Sequence, residues 1–191
     1  MKYTSLITIL ILAMTFGACD GRDRLHKTPQ EVLHETKLLD SFSERVNYIP
    51  ENYAEVLTDT ILANGFHIKI KTFTDMENNL LDVTQTDSLT HKTFYRDVKS
   101  QVIISKNEKE IFNKIIDKPF FTQQYNNHEA DLNRMTLRAV FVNQVPEFEK
   151  KELNEAQIEF YYQNIKQADY KRNYRLQIQP NGTYKISNFE N

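Results

Sequence analysis

The sequence predicts a mainly-β fold, either an antiparallel β-sandwich or a strongly curved sheet, with one N-terminal helix. Apolar and polar residues alternate through most of the chain after Pro50, which is the period of a half-buried strand. Asparagine–glycine pairs follow two of these runs, as hairpin turns require. No helical crossover separates consecutive runs, so antiparallel pairing is favoured. The alternative is an α+β cone, in which the helix packs into the curved sheet and leaves a pocket.

Residues 1–18 are typical of a secretory signal peptide that ends at a lipidated cysteine. Lys2 supplies a positive start, residues 6–14 are apolar but too few to span a bilayer, and the small pair Gly17-Ala18 precedes Cys19. Cys19 is the only cysteine of the chain. We therefore expect a diacylglycerol on the Cys19 sulfur, with further acylation giving a stable membrane anchor.

The expected location is the bacterial cell envelope; the sequence leaves the choice between inner and outer membrane open and slightly favours the outer one. Behind the anchor we expect a charged tether over residues 19–27 and a single mainly-β domain over residues 28–191. The formal net charge of the whole chain is −2, which excludes the basic field that nucleic acid needs. The expected partners are the membrane, through the lipid on Cys19, and an envelope protein or glycan.

The one predicted helix begins at the start of the domain. Thr28-Pro29-Gln30-Glu31 fits a capping box with proline at the first helical position. Apolar residues then recur at positions 32, 33, 39, 42 and 46, near helical spacing. The pattern predicts a helix over about 29–46 that ends before Pro50.

Predicted strands follow one another to the end of the chain. Asn64-Gly65 between two alternating runs predicts a type I′ hairpin turn, which needs positive φ at both central residues. Residues 135–142 (MTLRAVFV) form the most apolar run and predict a central strand. Pro180-Asn181-Gly182 predicts the closing hairpin. The predicted strands lie near residues 54–62, 66–70, 92–105, 111–116, 135–142, 156–162, 174–178 and 184–186.

The helical segment is followed by the sequence TDTIL at 58–62 and NGF at 64–66. Together with the signal peptide and its cysteine, this arrangement resembles an uncharacterised family of small lipoproteins common in the Bacteroides group. The resemblance covers roughly residues 59–191, and its motifs are turn and core residues. That family has no assigned activity, so the resemblance implies a location and a fold only.

The sequence contains no recognisable motif for phosphate, metal or nucleophilic chemistry. Its four glycines are not clustered as a phosphate loop or a nucleophile elbow requires, and its five histidines lack metal-ligand spacing. The carboxylate pairs Asp75/Glu77 and Asp82/Asp87 carry no signal of glycosidase separation or of desolvation. The sequence therefore predicts no catalytic residue, no metal and no cofactor.

One cluster of side chains near the C-terminus indicates a recognition surface. Tyrosine combines apolar area with a polar tip, and arginine is enriched at interfaces. The predicted recognition residues are Tyr161, Tyr162, Tyr170, Tyr174 and Arg175. We therefore expect a lipid-anchored binding or interaction module. The alternative is an envelope hydrolase that acts on glycan or peptide.

Overall fold

The computed structural model describes residues 27–35, 44–86, 89–143 and 154–189. Cys19, the signal peptide and most of the tether lie outside these described residues, so their assignment stays a prediction. The chain divides into two compact units, one of residues 1–45 with 85–90 and one of residues 46–84 with 91–191. Helix α1 lies in the first unit, and the second unit contains the core.

Helix α1 (Pro29–Glu35) starts where the capping box predicts. The Thr28 backbone N–H donates to Glu31 Oε2 at 2.7 Å, and the Glu31 N–H donates to Thr28 Oγ1 at 3.3 Å. These two bonds satisfy backbone donors that the helix itself leaves unpaired. The predicted helix start is confirmed.

The predicted helix end at residue 46 is wrong, because Glu44–Ile49 form strand β1. Tyr48 of β1 stacks on Phe94 with ring centroids 5.0 Å apart, so the segment gains a partner strand that local periodicity does not reveal. Pro50 adds a local reason, since a residue before proline is driven towards extended geometry.

The described residues form two sheets with mainly antiparallel pairing, in agreement with the predicted mainly-β fold. The strands of the first sheet are β1, β2 (Glu55–Ile61), β3 (Phe66–Thr86), β4 (Leu89–Lys106) and β5 (Lys109–Ile116). Their order is β1-β4-β3-β2, and β5 also pairs with β4. The strands of the second sheet are β6 (Met135–Val142), β7 (Ala156–Asn164), β8 (Lys171–Ile178) and β9 (Tyr184–Phe189). Their order is β6-β7-β8-β9.

The inward faces of both sheets contribute to one apolar core, which is the arrangement of a β-sandwich. Ile68 and Ile104 of the first sheet and Phe160 of the second are fully buried. Short helices α2 (Lys118–Thr122) and α3 (Glu129–Leu132) lie between β5 and β6. Core burial at alternate residues of β7 confirms the strand predicted there.

The strand at residues 135–142 is wrongly predicted to be central. β6 ends the second sheet, with β7 as its neighbour in that sheet. Its high apolar content comes from an inward face that contributes Met135 and Leu137 to the core, combined with an exposed Phe141 on the other face. In β6, apolar residues on both faces therefore belong to an edge strand that has only one face covered by the core.

The hairpin after β2 is confirmed, but its turn type is wrong. Gly65 has φ +83°, whereas Asn64 is not among the described residues with positive φ. The Gly65 N–H donates to the Leu62 carbonyl, and the Leu62 N–H donates to the Phe66 carbonyl, both at 2.8 Å. This is the three-residue turn with a glycine bulge, which needs positive φ at the last position alone.

The closing hairpin repeats this geometry around Gly182, at φ +82°. The Gly182 N–H donates to the Gln179 carbonyl, and the Gln179 N–H donates to the Thr183 carbonyl, both at 2.9 Å. Positive φ at two successive residues occurs instead between β4 and β5, at Asn107 (φ 51°) and Glu108 (φ 64°). A two-residue loop favours the type I′ conformation, which has positive φ at both residues and matches the twist of the flanking strands.

Candidate functional site

The predicted recognition surface is divided by the structure. Tyr162 and Tyr174 are 1% and 0% exposed, and both belong to the core. The Tyr174 ring stacks on Phe121 of α2 at 4.3 Å between centroids, and its hydroxyl lies 3.0 Å from His128 Nδ1. These two tyrosines are therefore core residues, and their place in a recognition surface is corrected. The period of two along β7 and β8 already placed them on the inward face.

Tyr161 and Arg175 lie on the opposite, outward face of the second sheet. The Tyr161 hydroxyl donates to Glu159 Oε2 at 2.7 Å, and Arg175 donates to Glu159 Oε1 through Nε at 3.0 Å and Nη2 at 2.8 Å. The Arg175 guanidinium also lies 4.8 Å from the centre of the Phe189 ring. Both side chains are half-buried and hold one another in place through Glu159.

Tyr170 lies at a third location, at the end of the core beside α3. Its hydroxyl donates to Asp131 Oδ2 at 2.7 Å, and Arg172 donates to the same oxygen through Nη2, also at 2.7 Å. The Tyr170 hydrogen bond, followed by that of Arg172, lowers the pKa of the Asp131 carboxyl. The five predicted residues therefore form no common surface.

A polar cleft lies beside α2, where residues of β3 and β4 approach the start of that helix. The cavity has a volume of about 450 Å³, and a second cavity of about 470 Å³ shares Leu80 and Asn133 with it. Asp75 Oδ2 accepts from Lys99 Nζ and from Asn78 Nδ2, each at 2.7 Å. A second ion pair joins Lys118 to Asp97. Two ion pairs thus hold four charges of this cleft within the chain, while the Asp117 carboxylate accepts from the Phe120 N–H at 3.0 Å.

Asp75 is the most shifted carboxyl group of the cleft. Burial by itself raises its pKa, but hydrogen bonds from Lys99, Asn78 and the Glu77 N–H outweigh burial and lower the pKa to about 2. A general acid at neutral pH needs the opposite shift. Asp75 is therefore suited to a structural ion pair.

Among the described strands β2 pairs with β3 alone, so its other edge is open, and this edge is the second candidate site. The Leu62 N–H bonds to Phe66, and the Thr74 N–H donates to the Ala54 carbonyl at 2.9 Å. The register between β2 and β3 runs without a shift, so even-numbered residues of β2 bond to β3. In an antiparallel strand the intervening residues direct their N–H and C=O groups to the other side. Those residues are Glu55, Leu57, Asp59 and Ile61.

The side chains of β2 are also exposed to solvent. Val56, Leu57 and Ile61 are 66%, 69% and 72% exposed, which makes them the most exposed large apolar side chains of the described residues. Exposed edges in native proteins usually carry lysine, proline or a bulge that blocks further strand pairing. The β2 sequence EVLTDTI has none of these. An unprotected edge with apolar side chains can accept another strand.

The sequence shows that β2 has an apolar side chain on each face, but it does not show that the strand ends its sheet. Val56 and Leu57 are adjacent, so a strand must place one on each face. Because β2 ends its sheet and Val56 remains exposed on the inward side, neither face gives the strand full cover.

Comparison with known proteins leaves the family open. A scan against protein-family models and a search of curated proteins found no match to this chain. The resemblance to small Bacteroides-group lipoproteins therefore stays a prediction. Within the described residues, no helix is long and apolar enough to cross a bilayer, and no group of three or more His, Cys, Asp or Glu side chains is placed to hold a metal ion.

Proposed function

We propose that this protein is a lipid-anchored module of the cell envelope that binds another protein by adding a strand to β2. The observation that carries the proposal is the unprotected β2 edge, where four residues direct backbone donors and acceptors outward and three large apolar side chains are exposed. Strand addition obtains affinity from main-chain hydrogen bonds and specificity from alternate side chains.

The energetics favour a partner over a permanently open edge. Full burial of a leucine or isoleucine side chain contributes roughly 1.5–3 kcal/mol, and Leu57 and Ile61 are more than two-thirds exposed. An added strand covers part of both side chains while it forms hydrogen bonds to the backbone between them. Association has a substantial entropic cost, so the ordered, preformed edge of β2 is an advantage for binding.

The lipid on Cys19 completes the proposal by holding this edge near the membrane. A tethered binding site meets partners of the same envelope at a high effective concentration. The alternative of glycan hydrolysis has less support, because the most shifted carboxyl of the polar cleft, Asp75, has its pKa lowered to about 2 rather than raised.

The proposal is tested by a matched pair of lysine substitutions in the full chain, followed by crosslinking in intact envelopes. Leu57→Lys places a charge on the open β2 edge and is expected to remove at least nine-tenths of the crosslinked partner. Phe141→Lys replaces an exposed residue of the β6 edge, 57% exposed, and is expected to leave the crosslinks intact. Equal crosslinking of both variants and the unmodified chain contradicts strand capture at β2.

The anchor is tested separately by Cys19→Ala and metabolic labelling with a clickable fatty acid. The unmodified chain is expected to take up the label and the variant to lack it. Labelling of the alanine variant at the unmodified level contradicts lipidation at Cys19, whatever the outcome at β2.

A further inference from the structure

We infer that the strand captured by β2 carries apolar and basic side chains at alternate positions. When it pairs antiparallel to β2, as β3 does, the order is apolar-x-basic-x-apolar-x-basic. This inference rests on the proposed function and specifies the chemistry of the partner. It follows from which residues of β2 a new strand would face.

The residues of β2 that offer outward backbone groups also share one face. Side chains at alternate positions point to the same side of a sheet, so the four outward-bonding residues form one row. Read from the N-terminal end, the row is Glu55, Leu57, Asp59 and Ile61, which alternates acidic and apolar side chains. A partner strand bonded to these residues places its own side chains directly opposite them.

Each acid of the row already has a cation on the β3 side. Asp59 lies 2.5 Å from His67 Nε2 and 3.6 Å from Lys69 Nζ. Glu55 accepts from Lys71 Nζ at 2.7 Å. Strand β3 therefore supplies a cation to each acid, from Lys69 directly opposite Asp59 and from Lys71 diagonally to Glu55, whose opposite residue is Phe73.

The side of Asp59 away from β3 remains accessible to a second cation. Its side chain is 60% exposed despite both contacts, and the hydrogen bond from His67 lowers the pKa of its carboxyl, so the group is ionised at neutral pH. Opposite charges across neighbouring strands stabilise a sheet, and like charges oppose pairing. A lysine or arginine is therefore favoured opposite Asp59, and an acidic residue is disfavoured.

The same reasoning opposes a second copy of this chain as the occupant. Strand β2 contains two acids and no basic residue. When two β2 strands pair antiparallel with Leu57 opposite Leu57, Glu55 falls opposite Asp59. When Asp59 falls opposite Asp59, the two carboxylates repel each other directly. Other overlapping registers place an acid opposite an apolar side chain. The charge pattern therefore favours a different protein.

The probe is an end-blocked synthetic peptide of eight residues, with valine at positions 1 and 5, lysine at positions 3 and 7, and threonine elsewhere. One control peptide replaces both lysines with glutamate, and a second contains the original residues in scrambled order. Binding to the full chain in detergent is measured by fluorescence anisotropy at low and high salt. We expect the lysine peptide to bind at least ten-fold more tightly than either control, with a smaller ratio at high salt.

Charge reversal of the chain supplies the second arm. Asp59→Lys is expected to remove the preference, because the introduced lysine favours glutamate at position 3 of the peptide while Glu55 still favours lysine at position 7. Glu110→Lys is the matched control, because it reverses an exposed acid on β5 of the same sheet and is expected to retain the original preference. Circular dichroism verifies that both variants are folded.

The outcomes separate the inference from the function on which it rests. Equal binding of all three peptides, or an unchanged preference in Asp59→Lys, overturns the alternating pattern. If envelope crosslinks still depend on Leu57, strand capture survives that result. A dimer in sedimentation velocity that Leu57→Lys dissociates also overturns the inference, because the occupant is then a second copy.

Discussion

Strands β2 and β6 both end a sheet, but they expose very different surfaces. The inward side chains Met135 and Leu137 of β6 are 0% and 5% exposed, whereas Leu57 of β2 is 69% exposed. The register of β6 also shifts between Leu137 and Ala139, with Arg138 as the extra residue. Its guanidinium Nε donates to Gln163 Oε1 at 3.0 Å.

This difference distinguishes an edge that stabilises the fold from an edge that remains available for strand pairing. A bulge and a charged residue are known means of protecting a sheet edge, and β6 has both. Strand β2 has no bulge and no basic residue, only the acids Glu55 and Asp59, and its exposed apolar side chains contribute little to the core. The comparison indicates that β6 stabilises the fold, while β2 remains open for an external strand.

The largest expected effect comes from truncating one leucine on each edge. Leu137→Ala on β6 removes a buried side chain and is expected to cost about 2–5 kcal/mol of unfolding free energy, because a cavity is left in the core. Leu57→Ala on β2 is expected to change it by less than about 0.5 kcal/mol. Urea denaturation at equal protein concentration measures both. Similar losses for the two variants contradict the division between a stabilising edge and an open edge.

The second expected effect compares the two glycine turns, which share φ near +82°. An added Cβ at Gly182 would lie 2.5 Å from the Ile111 carbonyl oxygen, whereas at Gly65 it would meet only the end of Lys106 at 3.6 Å. The left-handed conformation destabilises both alanine variants by about 1–2 kcal/mol. Gly182→Ala is expected to be the less stable by at least about 1 kcal/mol, because backbone atoms must move.

Thermal unfolding of both glycine variants provides the measurement. A lower melting temperature for Gly182→Ala indicates close contact between its hairpin and β5. Equal melting temperatures would show that the backbone at Ile111 moves at little free-energy cost. The comparison of the two edges would then depend on the Leu137→Ala and Leu57→Ala variants.

The third expected effect is a pH dependence at the packed end of the second sheet. Burial, and then the charge of Arg172, lower the pKa of His128 in the folded chain. The unfolded chain therefore takes up the His128 proton more readily, near pH 6.5. The contribution to stability is complete above that pH and decreases as the pH falls through it towards the folded pKa.

His128→Gln is the control, because glutamine cannot titrate but can still bond to the Tyr174 hydroxyl. Unfolding free energies between pH 7.5 and 5.5 are expected to fall more steeply for the unmodified chain than for this variant. Parallel pH profiles would assign the acid sensitivity to groups other than His128.

The smallest expected effect concerns the turn between β4 and β5 in the first sheet. Glu108 has φ 64° and is exposed. Its backbone therefore has an unfavourable conformation that side-chain packing does not offset. Glu108→Gly removes that strain and is expected to stabilise the chain by up to about 1 kcal/mol, a gain reduced by glycine's greater freedom when unfolded. A raised urea midpoint is the predicted observation, and a lowered midpoint contradicts it.

The sequence by itself determined the mainly-β fold, the capping box at Thr28 and the hairpins at Gly65 and Gly182. Those features depend on local chemistry: alternation sets which face of a strand is buried, and a positive φ selects glycine. The alternation also distinguished Tyr162 and Tyr174 from Tyr161, although the recognition-surface prediction grouped them by closeness in sequence.

Only the tertiary structure decided which strands end a sheet and which apolar side chains remain exposed. β6 is the most apolar strand and β2 is less so, yet both are edges, because strand order depends on pairings between residues far apart in the chain. The turn types also required the paired strands to be known, since loop length after pairing sets the number of positive φ angles. Burial is a property of the assembled sheets, so the open edge of β2 became visible only when its neighbours were in place.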